Sequence, residues 1–87
     1  MKSYDARIYH AVGFLTANPA AARIFRAVTD KIGANGWEVA RASMQRPKET
    51  EKILGELLQI NAVRADGLGL DAYYLPSREA YVFKNFV

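Results

Sequence analysis

The 87-residue chain holds few side chains able to do acid–base, nucleophilic or metal chemistry. It has no cysteine and one histidine, His10. That excludes disulfides, thiolate nucleophiles, cysteine-based metal sites and any two-histidine cluster. Asp5 precedes His10 by five residues, a spacing at which the two side chains do not share a helix face well, and no activated nucleophile is evident. His10 therefore reads as a surface or interface residue. Gly67-Leu68-Gly69 offers the glycines of a phosphate-cradling loop, but it lies between two strand-like runs with no helix after it, so it reads as a hairpin tip. Gln45, Arg46, Lys48 and Lys52 fall within eight positions that also hold Glu49 and Glu51, and they read either as solvated turn and helix-surface residues, the lysines paired with neighbouring glutamates, or as contacts to phosphates and base edges. The expectation is a non-enzymatic binding protein, with no cofactor and no metal.

The charge distribution qualifies that expectation. The formal net charge is +3, with a pI near 9.4. Residues 1–46 carry seven Lys/Arg against three acids, a balance of +4, and residues 47–87 carry five against six. The basic excess thus sits in the first half. No run approaches the roughly 20 apolar residues of a membrane span. The N-terminus has no apolar core of a signal peptide and carries Asp5, which reads as cytoplasmic. At 51% hydrophobic and 24% charged, the chain reads as one globular domain spanning 1–87. A domain this small buries only about 60% of its unfolded surface, so a partner chain is the expected extra source of stability.

Elements must position these residues. From Ser3, a plausible N-cap, to about Ala17, Tyr4, Ile8, Val12 and Leu15 recur at helical spacing. Pro19 is suited to open a second helix, running to about Gly33 with Ile24, Phe25, Val28 and Ile32 on one face. Gly33, Asn35 and Gly36, residues that tolerate positive φ, are expected to end it. Trp37, read as a core cap, begins a short helix to Met44. Gln45-Arg46-Pro47 is a turn. A fourth helix at about 48–60 carries Ile53, Leu54, Leu57 and Leu58 as its apolar stripe, and Asn61 is a left-handed terminator. Runs 62–65 and 72–75 read as strands flanking a glycine-containing tip. Residues 77–87 read either as a third strand, Tyr81-Val82-Phe83, or as a helix capped by Ser77. The fold class is mainly α with a small antiparallel β-hairpin, in the order of a winged helix-turn-helix domain: recognition helix about 48–60, wing about 62–75.

Over roughly residues 14–76 the sequence also resembles the ArsR-type repressors. The stretch Leu15-Thr16-Ala17-Asn18-Pro19 through Ile24-Phe25-Arg26 is similar to the L-A-D-P-x-R-x-x-I-L start of that family's first core helix, with one residue inserted. Glu38-Val39-Ala40-Arg41 resembles its eLA helix. Leu54 through Val63 resembles the HLxxLxxAGLV end of the recognition helix, with Asn61 in place of glycine, and Ala72-Tyr73-Tyr74-Leu75 resembles the YYxL strand after the wing. The resemblance implies a symmetric dimer whose recognition helix enters the major groove of DNA, with Lys48, Glu49, Glu51 and Lys52 at the base-facing positions. The family's metal-sensing cysteines are absent, so metal-responsive regulation is not implied.

Two functions follow as expectations. In the first, a homodimeric regulator of transcription binds duplex DNA through Gln45, Arg46, Lys48 and Lys52, with Gly67 and Gly69 of the wing tip at the flanking backbone. The charges of Arg46, Lys48, Glu49, Glu51, Lys52 and Glu56 cancel, which counts against it. In the second, the same fold is a dimerisation or protein-interaction module that binds no DNA. The aromatic residues Tyr4, Tyr9, Phe14, Tyr81, Phe83 and Phe86 exceed what a small core readily hides. Tyr4, Ile8, Tyr9, Phe83 and Phe86 are therefore expected at a dimer interface.

Overall fold

The computed structural model describes residues 6–86. Ser3, Tyr4 and Asp5, singled out above, lie outside the described residues.

Among the described residues, five helices and a three-stranded antiparallel sheet follow in the order α1 (Ala6–Ala17), α2 (Pro19–Lys31), β1 (Ala34–Asn35), α3 (Gly36–Ser43), α4 (Pro47–Gln59), β2 (Val63–Asp66), β3 (Tyr73–Pro76) and α5 (Ala80–Lys84). A 3-10 turn, Gly69–Asp71, lies between β2 and β3. The sheet order is β1-β3-β2. Register pairs Asp66 and Asn35 with Tyr73 on either side of the central strand, and Arg64 with Leu75.

Local chemistry sets the helix boundaries. Pro19 and Pro47 each open a helix, where a missing N–H costs nothing and the fixed φ is already helical. Asn18 does not cap α2 with its side chain. Its amide donates instead to the Phe14 carbonyl at 2.9 Å, satisfying one of the last carbonyls of α1. Helix α2 ends in Ile32 with φ 54°, followed by Gly33 with φ 111°. The Ile32 and Gly33 amides donate to the Thr29 and Val28 carbonyls. A β-branched residue there is unusual, and Ile32 points outward, 69% exposed. Asn61 takes the expected left-handed conformation, φ 61°.

Asn35 departs from the expectation. It is extended, at φ −76° and ψ 165°, and belongs to β1 while capping α3. Its Oδ1 accepts from the Glu38 amide at 2.9 Å, and Glu38 Oε1 accepts from the Asn35 amide at 3.0 Å. This reciprocal capping box satisfies two donors at once. It fixes where the short α3 begins.

The core gathers Leu15 from α1, Ile24, Phe25 and Val28 from α2, Val39 from α3, Leu54 and Leu57 from α4, Val63 from β2, and Phe83 from α5. The tail is a helix, not a strand, and Ser77 is not its cap: the N-cap position is Glu79, and the buried Ser77 Oγ makes no hydrogen bond within the protein. The Ser77 carbonyl instead accepts from the Ala80 amide. Phe83 corrects the interface expectation. It is 2% exposed and its ring lies 6.4 Å from that of Phe25, so it completes the core of this chain and offers no surface to a partner. Ile8 is half-buried against the same core.

Candidate nucleic-acid interface

The turn between α3 and α4 is fixed at both ends. Helix α3 closes with Met44 left-handed, φ 59°, its amide on the Arg41 carbonyl, while the Gln45 amide donates to the Ala40 carbonyl. Pro47 then starts α4, and the Thr50 amide donates to the Arg46 carbonyl at 2.8 Å. Gln45 is half-buried, and Arg46 is exposed. With the Gln45 amide oriented by its neighbours, its oxygen accepts from Arg23 Nη2 at 3.1 Å and Nε at 3.3 Å. A basic residue of α2 is thereby joined to the turn.

Helix α4 is buried along Thr50, Ile53, Leu54 and Leu57. With about 100° between successive residues, the direction opposite that stripe is occupied by Lys48, Lys52, Gly55 and Gln59, all exposed. The acids fall on the flanks, Glu49 and Glu56 on one side and Glu51 on the other. A summed charge near zero therefore hides an ordered arrangement: the outermost ridge carries two lysines, an amide and a glycine, and no acid. A Cβ at Gly55 would meet nothing within 4 Å. The helix can be approached to its backbone there.

The β2–β3 connection folds back onto the helices. Tyr74 Oη donates to the Gly69 carbonyl at 2.8 Å, the Ala72 amide donates to the same carbonyl, and the Gly36 amide donates to Ala72 O. Trp37 Nε1 donates to Asp71 Oδ1 at 2.9 Å. Trp37 is thus a half-exposed clasp on the loop and not the core cap expected of it. Burial, and after it the negative charge of Glu51, raises the Tyr74 phenol above its ordinary pKa. The hydroxyl keeps its proton and remains a donor. Gly67 and Gly69 both take positive φ, 111° and 66°. They differ in what they present: Gly67 is exposed, whereas Gly69 is half-buried with its carbonyl already engaged. Leu68 between them is 92% exposed.

Of the residues expected to meet DNA, Arg46, Lys48 and Lys52 lie exposed at the N-terminal half of α4, and Gln45 joins them to Arg23. The Glu51 carboxylate lies beside Gly69, where a Cβ would be 3.1 Å from Oε2, whereas a Cβ at Gly67 would meet only Ala72. Sequence reasoning missed Arg23, Gly55 and Gln59. The last two were accessible from the angular position of the apolar stripe alone. Arg23 was not, because it reaches the turn only through tertiary structure.

At the opposite end of α4, an open cleft of about 500 Å³ is lined by Ala6, His10, Gln59, Ile60 and Asn61. His10 is exposed at its edge. Among the described residues no group of three or more His, Asp or Glu side chains could hold a metal ion, and no helix is long and apolar enough to cross a membrane. Tyr9, Tyr81 and Phe86 on α1 and the tail are exposed. Comparison of the chain with protein-family models, curated proteins and solved structures gives no significant match.

Proposed function

We propose that the chain is a winged helix-turn-helix protein that binds duplex DNA and acts in transcription control as a homodimer. The observation that carries this reading is the outward ridge of α4, where Lys48, Lys52 and Gln59 flank an open Gly55 and no acid intervenes. Lysines on such a ridge meet phosphates and guanine edges, and an amide suits adenine. The order of elements supports it as well. Two helices joined by a tight turn follow a short strand, and a hairpin pairs back onto that strand. In that frame α4 is the recognition helix and the segment 67–71 is the wing tip. The exposed Tyr9, Tyr81 and Phe86 favour pairing of two copies through α1 and the tail.

The test is titration of a labelled mixed-sequence duplex at about 50 and about 200 mM salt. Each neutralised phosphate steepens the salt dependence by about 0.9 in log–log slope. Arg46→Ala with Lys52→Ala is expected to weaken binding roughly 10- to 100-fold and to lower that slope by about two. Unchanged binding by the double variant would remove these residues from the interface. Absence of binding by the native protein at the lower salt would remove DNA altogether. The protein-interaction module, docking through its aromatic end, would then be the better reading.

A further inference from the structure

The ridge of α4 does not account for where this chain keeps its charge. A groove of about 240 Å³ runs between α2 and α3, lined by Arg23, Arg26, Asp30 and Lys31 from α2 and by Ala42 and Ser43 from α3. The one acid in this wall, Asp30, is engaged by Lys84 Nζ of α5 at 2.9 Å. Arg23, Arg26, Lys31 and Lys84 set against Asp30 leave +3, which equals the formal net charge of the whole chain. With Asp30 paired, Arg23, Arg26 and Lys31 leave this groove wall positive, and polyanions are drawn to such a wall.

The shape of the basic array selects the kind of polyanion. Arg23, Arg26 and Lys31 border the groove along α2, spread over about 12 Å of helix rise and about 140° of its circumference. A compact anion would need these cations convergent, whereas here they are spread out, as suits an extended polyanion. The array is also continuous with the candidate interface, because Arg23 donates to Gln45 in the turn that leads to Arg46 and Lys48.

We infer that the α2–α3 groove is a second phosphate-contact surface for the same duplex, gripping one strand of the backbone beyond the stretch that α4 reads. This rests on the duplex-binding proposal above, and the experiment separates the two. Arg26→Gln with Lys31→Gln removes two exposed charges and keeps side chains that suit a helix. Its salt slope for a mixed-sequence duplex is expected to fall by about 1.8 relative to the native protein, with about tenfold or greater weakening near 100 mM salt. Preference among duplex sequences stays unchanged, because phosphate contacts carry no base information. The charge-conserving pair Arg26→Lys with Lys31→Arg restores the native slope. A slope within half a unit of native in the glutamine variant, while Arg46→Ala with Lys52→Ala still weakens binding, overturns the second surface and leaves α4 standing. Failure of the native protein to bind duplex at about 50 mM salt overturns both.

Discussion

Phe83→Ala is expected to lower the free energy of unfolding by about 3–5 kcal/mol, the usual cost of emptying a buried phenylalanine site. The side chain is 2% exposed and tilts against Phe25 at an interplanar angle of 48°. Its loss removes both the apolar burial and an aromatic contact. A domain of this length has about 4–13 kcal/mol in total, so the variant sits close to unfolding and its melting temperature falls by roughly 15–30 °C. The decisive reading is the dependence on protein concentration. If Phe83 served a dimer interface, its loss would dissociate the dimer, and the deficit would vanish at low protein concentration and grow as concentration rises, because only the native protein would gain stability by association. A core residue gives the same deficit at every concentration. Tyr81→Ala, two positions away but 54% exposed, serves as the control and, at concentrations where the chain is monomeric, is expected to stay within about 0.5 kcal/mol of native. Equal destabilisation by the two variants would contradict the packing of α5.

The contrast between those two aromatics shows what the sequence could and could not say. Phe83 and Tyr81 are two positions apart on one short helix, and nothing in their residue types separates core from surface. Only the docking of α5 against α2 does that. The long helices were legible because two independent signals coincide in them. Pro19 and Pro47 mark where α2 and α4 start, and the apolar stripes behind them have helical period. Strand β1 was not legible, since two residues show no periodicity. Asn35 was misread for a related reason. An asparagine near glycines suits a positive φ, yet the same side chain also suits an N-cap. The tie is broken by Glu38 three positions on, which completes the capping box.

The candidate interface divides along the same line. Arg46, Lys48 and Lys52 could be placed on an exposed face from the pattern of α4 alone. Summing their charges with those of the neighbouring glutamates discarded the angular information, and the angles are what set Lys48, Lys52, Gly55 and Gln59 apart from the acids. The engagement of Arg23 with Gln45 joins residues 22 positions apart. So does the clasp of Trp37 on Asp71, across 34 positions. Contacts of this kind arise from tertiary structure and leave no mark on the local pattern. They also decide how the β2–β3 connection is held, and hence what the tip beyond Gly67 can reach.

That connection depends on a single missing methyl group. Gly36→Ala is expected to destabilise the protein by about 1–3 kcal/mol, although helix propensity alone predicts the opposite sign. Gly36 is the first residue of α3, and its φ is not in the left-handed region. An alanine there would gain up to about 1 kcal/mol from reduced freedom in the unfolded chain. Against this, a Cβ at Gly36 would lie 2.6 Å from the Leu70 Cα and 2.7 Å from the Leu70 carbonyl oxygen. Both obstacles are backbone, so no side-chain rotation relieves them, and overpacking of this kind costs about 1–3 kcal/mol and occasionally more. The segment 69–71 would have to move away from α3. Three bonds resist that: Gly36 N–H to Ala72 O, Trp37 to Asp71, and Tyr74 to Gly69 O. Gly55→Ala provides the opposite case within the same protein. It lies inside α4 with open space around it, so alanine is expected to stabilise by about 1 kcal/mol. Urea unfolding of the two variants measures both signs, and a stabilised Gly36→Ala protein would mean that the loop does not close on α3. Duplex titration adds a second reading. Gly55→Ala puts a methyl group at the centre of the α4 ridge, so a protein made more stable but a weaker binder of DNA locates the duplex against that ridge. The same variant with native affinity would move the duplex off it.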